Sequence, residues 1–437
     1  MNNCLVILLL FGFFCGLCHA NVMSLNECID YALEHSPKIK RKEIEKNLQQ
    51  LNTIIEKARF DFNFSAGLSR DVASGLDGSS FSVQKEIIGG IEISTSLDVT
   101  DQASTGDRFG SYSVALSKII LGGGTELESR NRIDDSIIQE MVILNQLNKE
   151  KRRIIFQVKQ AYYRIIRDSQ TLKIQQLKLA RAEKNLEHAI DREKPLDIAI
   201  AHIEVPEEKA VELRAIQNIE SSLDLMKELI GLDMNMPFDT AKEFEYHVED
   251  VNLPGAMAFA YDNDEDILNN ALTAKSAQLD IDIFRSLRGP EVRLFAEHRQ
   301  DSATGTDFQG DDMQILGLSV SWPLGDRVDR ARLRQTRSLI HDLRWQLFQL
   351  RQDKAKEVRE LVRRLGELKE SVLLQENFVK ASDHLVQLYQ DRYDHGEIDI
   401  LELIRSQDGL ENSKVQLVIL KTSYMEMLAE LSFAIGK

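Results

Sequence analysis

Nine histidines are scattered along the chain, and none stands in the His-Glu-x-x-His spacing that sets two imidazoles on one helix face for zinc. His188, His202, His341 and His384 fall on helical stretches and read as solvated side chains. Gly122-Gly123-Gly124 lacks the Lys-Ser/Thr that completes a phosphate-binding loop, so it reads as a break at the end of a strand. The acidic run Asp262-Asn263-Asp264-Glu265-Asp266 carries enough charge to attract a cation. It stands where a helix starts, however, and carboxylates there complement the helix dipole. No catalytic residues, no cofactor and no metal site are expected, and the chain does not read as an enzyme.

The first twenty residues differ from the rest. Residues 5–14 are almost wholly apolar, and Cys18-His19-Ala20 offers small residues where a signal peptidase reads. Residues 1–20 are therefore expected to be a secretory signal peptide, although no Lys or Arg precedes the apolar run. Neither Cys15 nor Cys18 has a leucine three residues upstream, as a bacterial lipidation site usually does. Removing the signal removes Cys4, Cys15 and Cys18 and leaves Cys28, which excludes an intramolecular disulfide. No later run of 18 apolar residues exists to form a transmembrane helix. The 437 residues are 43% hydrophobic and 28% charged with a net charge of −16, a folded and acidic chain. That balance argues against nucleic acid as a partner.

What must be positioned becomes clearer from the elements. Residues 125–194 contain no glycine and no proline, and apolar residues such as Ile133, Ile137, Ile154, Val158, Ile165 and Leu172 recur every three or four positions. This is one amphipathic helix, and at about 1.5 Å per residue it reaches roughly 105 Å. A second such rod covers residues 328–395, interrupted only by Gly366. The period changes from 3.6 to 2 at residues 60–69, where Phe60, Phe62, Phe64, Ala66 and Leu68 alternate with polar residues. Further strands are expected at 111–117, 291–299 and 314–322, with a hairpin about Gly89-Gly90 over residues 83–99.

Shorter helices are expected at 25–34, capped by Ser24 with Glu27, and at 37–59, 207–230, 264–287 and 399–434. The order repeats, Ala32-Leu33 matching Ala271-Leu272 and Gly231 matching Gly436. Residues 21–232 form the first repeat and residues 263–437 the second. An irregular connector fills 233–262, and an extra hairpin at about 72–108 belongs to the first repeat.

Ten-residue strands with one apolar and one polar face suit a bilayer-spanning barrel. Four to six strands are too few to close one, and open edges cannot persist in hydrocarbon, so the chain must pool its strands with other copies. The competing reading is a non-conducting structural periplasmic coiled-coil protein, which leaves the strands unexplained.

The layout resembles the TolC-like outer membrane efflux protein family. The residues that carry the likeness are Ser24-Leu25-Asn26-Glu27 with Ala32-Leu33-Glu34-His35-Ser36-Pro37, then Trp322-Pro323-Leu324-Gly325-Asp326-Arg327. Arg392-Tyr393-Asp394-His395-Gly396-Glu397-Ile398-Asp399-Ile400-Leu401-Glu402-Leu403 completes them. The resemblance implies a mainly α fold with a membrane β-barrel portion. It implies an internally duplicated homotrimer, in which a 12-stranded β-barrel in outer membrane lipid continues as a long α-helical barrel. The place would be the outer membrane of a Gram-negative bacterium, reaching into the periplasm. The partners would be a periplasmic adaptor (membrane fusion) protein and an inner-membrane transporter, in a tripartite efflux pump or a type I secretion system. The extra hairpin lies outside this plan, either lengthening an extracellular loop or adding strands. The periplasmic gate would fall at residues 396–406, on Asp399, Glu402 and Arg405, although relatives often carry aspartate where Arg405 stands. Pro195, Asp197 and Gly396 mark the turns where an adaptor would dock.

Overall fold

The computed structural model describes residues 21–71, 76–102, 107–122, 124–191, 193–240, 244, 246–302, 304, 307–308, 312–322 and 327–437. The expected signal peptide, Gly123 and the Pro323-Leu324-Gly325-Asp326 part of the second motif lie outside them. In chain order the elements are β1 (Asn21–Met23), α1 (Leu25–His35), α2 (Pro37–Ala58), β2 (Asn63–Asp71), β3 (Leu76–Ile87), β4 (Ile91–Gln102) and β5 (Asp107–Leu121). Then come α3 (Gly124–Asp191), α4 (Pro195–Ile230), β6 (Phe238–Thr240), α5 (Leu253–Asn263) and α6 (Glu265–Ser286). The last are β7 (Glu291–Ser302), β8 (Asp312–Ser321), α7 (Arg327–Asp394) and α8 (Ile400–Ala434). Among the described residues no helix is long and apolar enough to cross a membrane.

The rods α3 and α7 are each unbroken over 68 residues, roughly 100 Å at helical rise. Gly366 does not interrupt α7, because one interior glycine costs only about 1 kcal/mol against the rest of a long helix. Two readings need correcting. Pro206 was expected to precede a helix, yet α4 begins at Pro195 and runs through Pro206 to Ile230. The Pro206 nitrogen carries no hydrogen to donate, but the thirty-five other residues of α4 outweigh one lost bond. Residues 233–262, expected to be irregular, hold β6, which pairs parallel with β1, and α5, for which Pro254 is a start signal rather than a break.

The chain divides into two compact units, Met1–Lys42 with Leu147–Glu265 and Arg351–Lys437, and Glu43–Gln146 with Asp266–Leu350. The first is helical apart from the β1–β6 pair. Its core packs Cys28, Ala32 and Ile39 against Ile154, Val158, Ile165, Met226, Val358 and Tyr424, and each such aliphatic side chain contributes about 1.5–3 kcal/mol by burial. Ser24 caps α1 as expected, accepting from the Glu27 N–H while Glu27 accepts from the Ser24 N–H at 2.7 Å. Gly231 ends α4 at φ +77°, and a Cβ there would stand 2.8 Å from the His35 carbonyl oxygen.

The second unit carries one sheet of six strands in the order β2-β3-β4-β5-β7-β8, with every neighbouring pair antiparallel. The hairpin about Gly89-Gly90 is β3–β4, with φ of +114° and +68° at its two glycines. It stands inside the sheet, between β2 and β5, so it adds strands and does not lengthen a loop.

Candidate functional site

The two faces of the sheet have opposite chemistry. On one, Phe64, Leu68, Phe81, Ile93, Leu97, Leu116, Leu294, Leu318 and Val320 form an apolar band that reaches all six strands. Within the single chain its members face outward, Leu68 at 90% and Leu318 at 60% exposure. Lys85 interrupts the band, its ammonium 4.1 Å from the centre of the Phe62 ring. The other face is mostly polar, with Leu76, Phe109, Ile119, Phe295, Met313 and Ile315 as apolar exceptions. Serine hydroxyls meet across strands there, Ser65 to Ser82 at 2.7 Å and Ser96 to Ser113 at 2.9 Å. Arg293 reaches Glu92 and Glu291 at 3.3 Å each. Strands of bilayer-spanning barrels alternate apolar and polar residues in the same way.

The helical unit brings both expected turns together. Ala189 and Ala201 from the α3–α4 turn bury against Tyr393, Ile398, Ile400, Leu403 and Ile404 of the α7–α8 turn. Gly396 ends α7 at φ +77°, its N–H bonded to the Tyr393 carbonyl at 2.9 Å, while the Glu397 N–H reaches the Arg392 carbonyl at 2.9 Å. This is the double bond of a Schellman close. Asp399 stands at the N-cap of α8 without a side-chain capping bond. Asp399, Glu402 and Arg405 are all exposed, and among the described residues no ion pair joins them. Pro195 opens α4 after Glu193, whose φ is +52°. Asp197 is only 3% exposed and its Oδ2 has no hydrogen-bond partner. It is therefore no surface contact of this turn.

Beside the turns the structure assembles a charge cluster that sequence reading did not find. Lys178 Nζ lies 2.8 Å from Glu208 and 3.1 Å from Asp408. Arg181 reaches Asp408 at 3.4 Å and Glu204 at 4.0 Å, and pairs closely with Glu411. Asn185 donates to Gln407 at 3.3 Å. Two cations thus face four carboxylates at the meeting of α3, α4 and α8. Burial pushes the Glu204 and Glu411 carboxyls above the ordinary carboxylate range, against the pull of Arg181. Burial also draws Lys178 down, but Glu208 and Asp408 outweigh it and hold the ammonium above its usual value. Both Glu204 oxygens lack a hydrogen-bond partner. The signal in the sequence was slight: Lys178 and Arg181 at i, i+3 and Glu204 and Glu208 at i, i+4 each share a helix face.

The remaining groups are chemically quiet. Among the described residues no three His, Cys, Asp or Glu side chains converge to hold a metal ion. Cys28 is buried, and its thiol is raised to about 11.

Residues 259–437 match the Outer membrane efflux protein family. The match covers less than half of the chain, and that family is one of outer membrane efflux proteins. Solved structures extend the likeness over the whole fold. CusC matches with a TM-score of 0.73 at 14% identity, over 94% of this chain and 92% of that one. The outer membrane protein VceC from Vibrio cholerae matches with a TM-score of 0.71 at 16% identity, over 94% and 96%. The MtrE outer membrane channel of Neisseria gonorrhoeae, in its open state, matches at 0.70 and 17% identity, over 94% and 88%. At such identities the likeness is one of fold. No curated protein sequence matches the chain.

Proposed function

We propose that the chain is one protomer of a passive exit duct in the outer membrane of a Gram-negative bacterium. It works as a homotrimer with a periplasmic adaptor protein and an inner-membrane transporter, in a tripartite efflux pump or a type I secretion system. The observation that carries this reading is the sheet, apolar on one face and polar on the other, with β2 and β8 as its two edges. Unpaired edges are intolerable in hydrocarbon, so the edges call for further copies of the chain. Exposed apolar side chains at helical spacing support self-association in each unit. They are Ile44, Leu48, Leu51 and Ile55 on α2 in the sheet-bearing unit, and Leu374, Phe378, Leu385 and Leu388 on α7 in the helical one. A structural coiled-coil protein without a conduit would need the helical stripes but not the apolar face of the sheet.

The energy source lies with the transporter. Asp399, Glu402 and Arg405 are the gate residues of this reading, ringed at the pore mouth in three copies, where neighbouring protomers pair with them. Rings of carboxylates favour cations. Pro195 and Gly396 are the exposed landmarks for adaptor docking, and Asp197 serves by position beneath Pro195. Single-channel recording in planar bilayers tests the gate. Glu402→Gln combined with Arg405→Ala is expected to raise conductance and weaken cation preference; unchanged conductance and selectivity would remove these residues from the gate.

A further inference from the structure

The inserted hairpin changes the size of the barrel. We propose that β3 and β4 are staves of the membrane wall, so that three copies close an eighteen-stranded barrel and not one of twelve. The proposal rests on the duct reading above.

Three observations support it. First, the hairpin is bonded along its length on both sides. β2 pairs with β3 from Asn63↔Gln84 to Asp71↔Leu76, and β4 pairs with β5 from Ile91↔Lys118 to Gln102↔Asp107. β2 and β5 are never neighbours. Second, the lipid-type face continues over it through Phe81, Val83, Ile91, Ile93, Leu97 and Val99, on the same side as Phe64 and Leu116.

Third, the apolar band crosses the sheet on a diagonal whose slope counts the strands. The pairing row through Ala66 runs Phe81, Leu97, Tyr112, Gln300 and Asp312. Ala66 is the centre of the apolar set on β2, whereas on β8 the centre of Leu316, Leu318 and Val320 is Leu318, six residues beyond Asp312. A bilayer is a flat slab, so strands that stay level with it must tilt by that offset. Six residues are about 20 Å along a strand, and five strand spacings are about 24 Å, which gives a tilt of about 40°. Spanning barrels have tilts of about 35–45°. Without the hairpin the same offset would fall across three spacings, about 14 Å, and demand roughly 54°. The slope fits a wall that contains β3 and β4.

A wall of eighteen strands at this tilt is about 36 Å across between backbones, against about 24 Å for twelve. Porin barrels of about 16–18 strands leave an aqueous channel. The polar face of serines and paired charges would line it, so the outer exit would not limit a bulky hydrated cargo.

The test measures ring diameter and chain number on the full protein. The protein is placed in lipid nanodiscs, viewed end-on by electron microscopy, and its chains are counted by native mass spectrometry. A trimer with a barrel about 36 Å wide is expected. Deleting residues 72–102 joins Asp71 through residues 103–106 to Asp107. Four residues then connect β2 to β5, as many as separate β2 from β3 in sequence, and removing two strands keeps every neighbour antiparallel. The deleted trimer is expected to shrink to about 24 Å. A wild-type trimer of about 24 Å, or a dimer of that width, overturns the eighteen-stranded wall and leaves the duct standing; the wild-type diameter decides even if the deletion does not fold. A chain that never enters the bilayer overturns the duct as well.

Discussion

The turn between α3 and α4 and the turn between α7 and α8 meet in one apolar cluster, yet they are built from different residues. The first holds a non-glycine, Glu193, at φ +52° and then fixes the chain with Pro195. The second gives its left-handed position to Gly396 and closes with two backbone bonds. The first turn buries Asp197, while the second exposes Asp399 and Glu402. One turn is thus strained and pinned, the other relaxed. Both expose charges, Asp191, Glu193 and Lys194 at the first and Asp399, Glu402 and Arg405 at the second, and the gate is proposed at the second on its likeness to the family motif.

The comparison can be broken from the packing side first. Arg181 holds α3 against both α4 and α8, and Arg181→Ala leaves Glu204, Asp408 and Glu411 without their shared guanidinium. A loss of roughly 3–5 kcal/mol is expected for breaking a buried charged set, read as a lower midpoint in denaturant. Ile400→Ala removes a fully buried side chain of the cluster that ties the turns together. It should cost about 2–5 kcal/mol; a loss under half of that lower bound would show that the turns do not support one another.

The backbone substitutions sharpen the contrast because their signs differ. Gly396→Ala places a Cβ at φ +77° and should cost about 1–2 kcal/mol. Glu193→Gly removes the strain at φ +52° and should stabilise by a few tenths to about 1 kcal/mol after the entropy of glycine is subtracted. Equal signs would mean that the two turns are not conformationally distinct. The smallest effect expected is that of pH. Glu204 and Glu411 bind protons more tightly folded than unfolded, so their contribution grows as pH falls through the raised values toward the ordinary carboxylate range. It is lost as pH rises above them. Melting temperatures across mild acid in wild type and Glu204→Gln should diverge, with the substituted protein less sensitive.

Much of this architecture was legible in the residues. The rods followed from the absence of glycine and proline, and the strand faces from period-two alternation. Alternation assigns faces but not neighbours, so the sequence placed the β3–β4 turn at Gly89-Gly90 without showing that the hairpin stands between β2 and β5. Pro206 misled because proline is a local signal, while α4 is held by burial of Ala201, Ala215, Met226 and Ile230 along its length. Pro254 misled in the opposite way, opening a helix that its irregular surroundings concealed. The charge cluster was hidden because its members come from three helices, and Lys178 meets Asp408 only through the fold. Asp197 marks the first turn in the sequence, but its burial follows only from the fold.

The central claim is that the sheet parts lipid from water, and alternate-residue labelling on β8 tests it most directly. Leu316, Leu318, Ser319, Val320 and Ser321 are replaced by cysteine one at a time in the Cys28→Ser background and exposed to a membrane-impermeant thiol reagent in permeabilised outer membranes. The account predicts labelling at 319 and 321 and protection at 316, 318 and 320. Equal labelling at all five positions would contradict it.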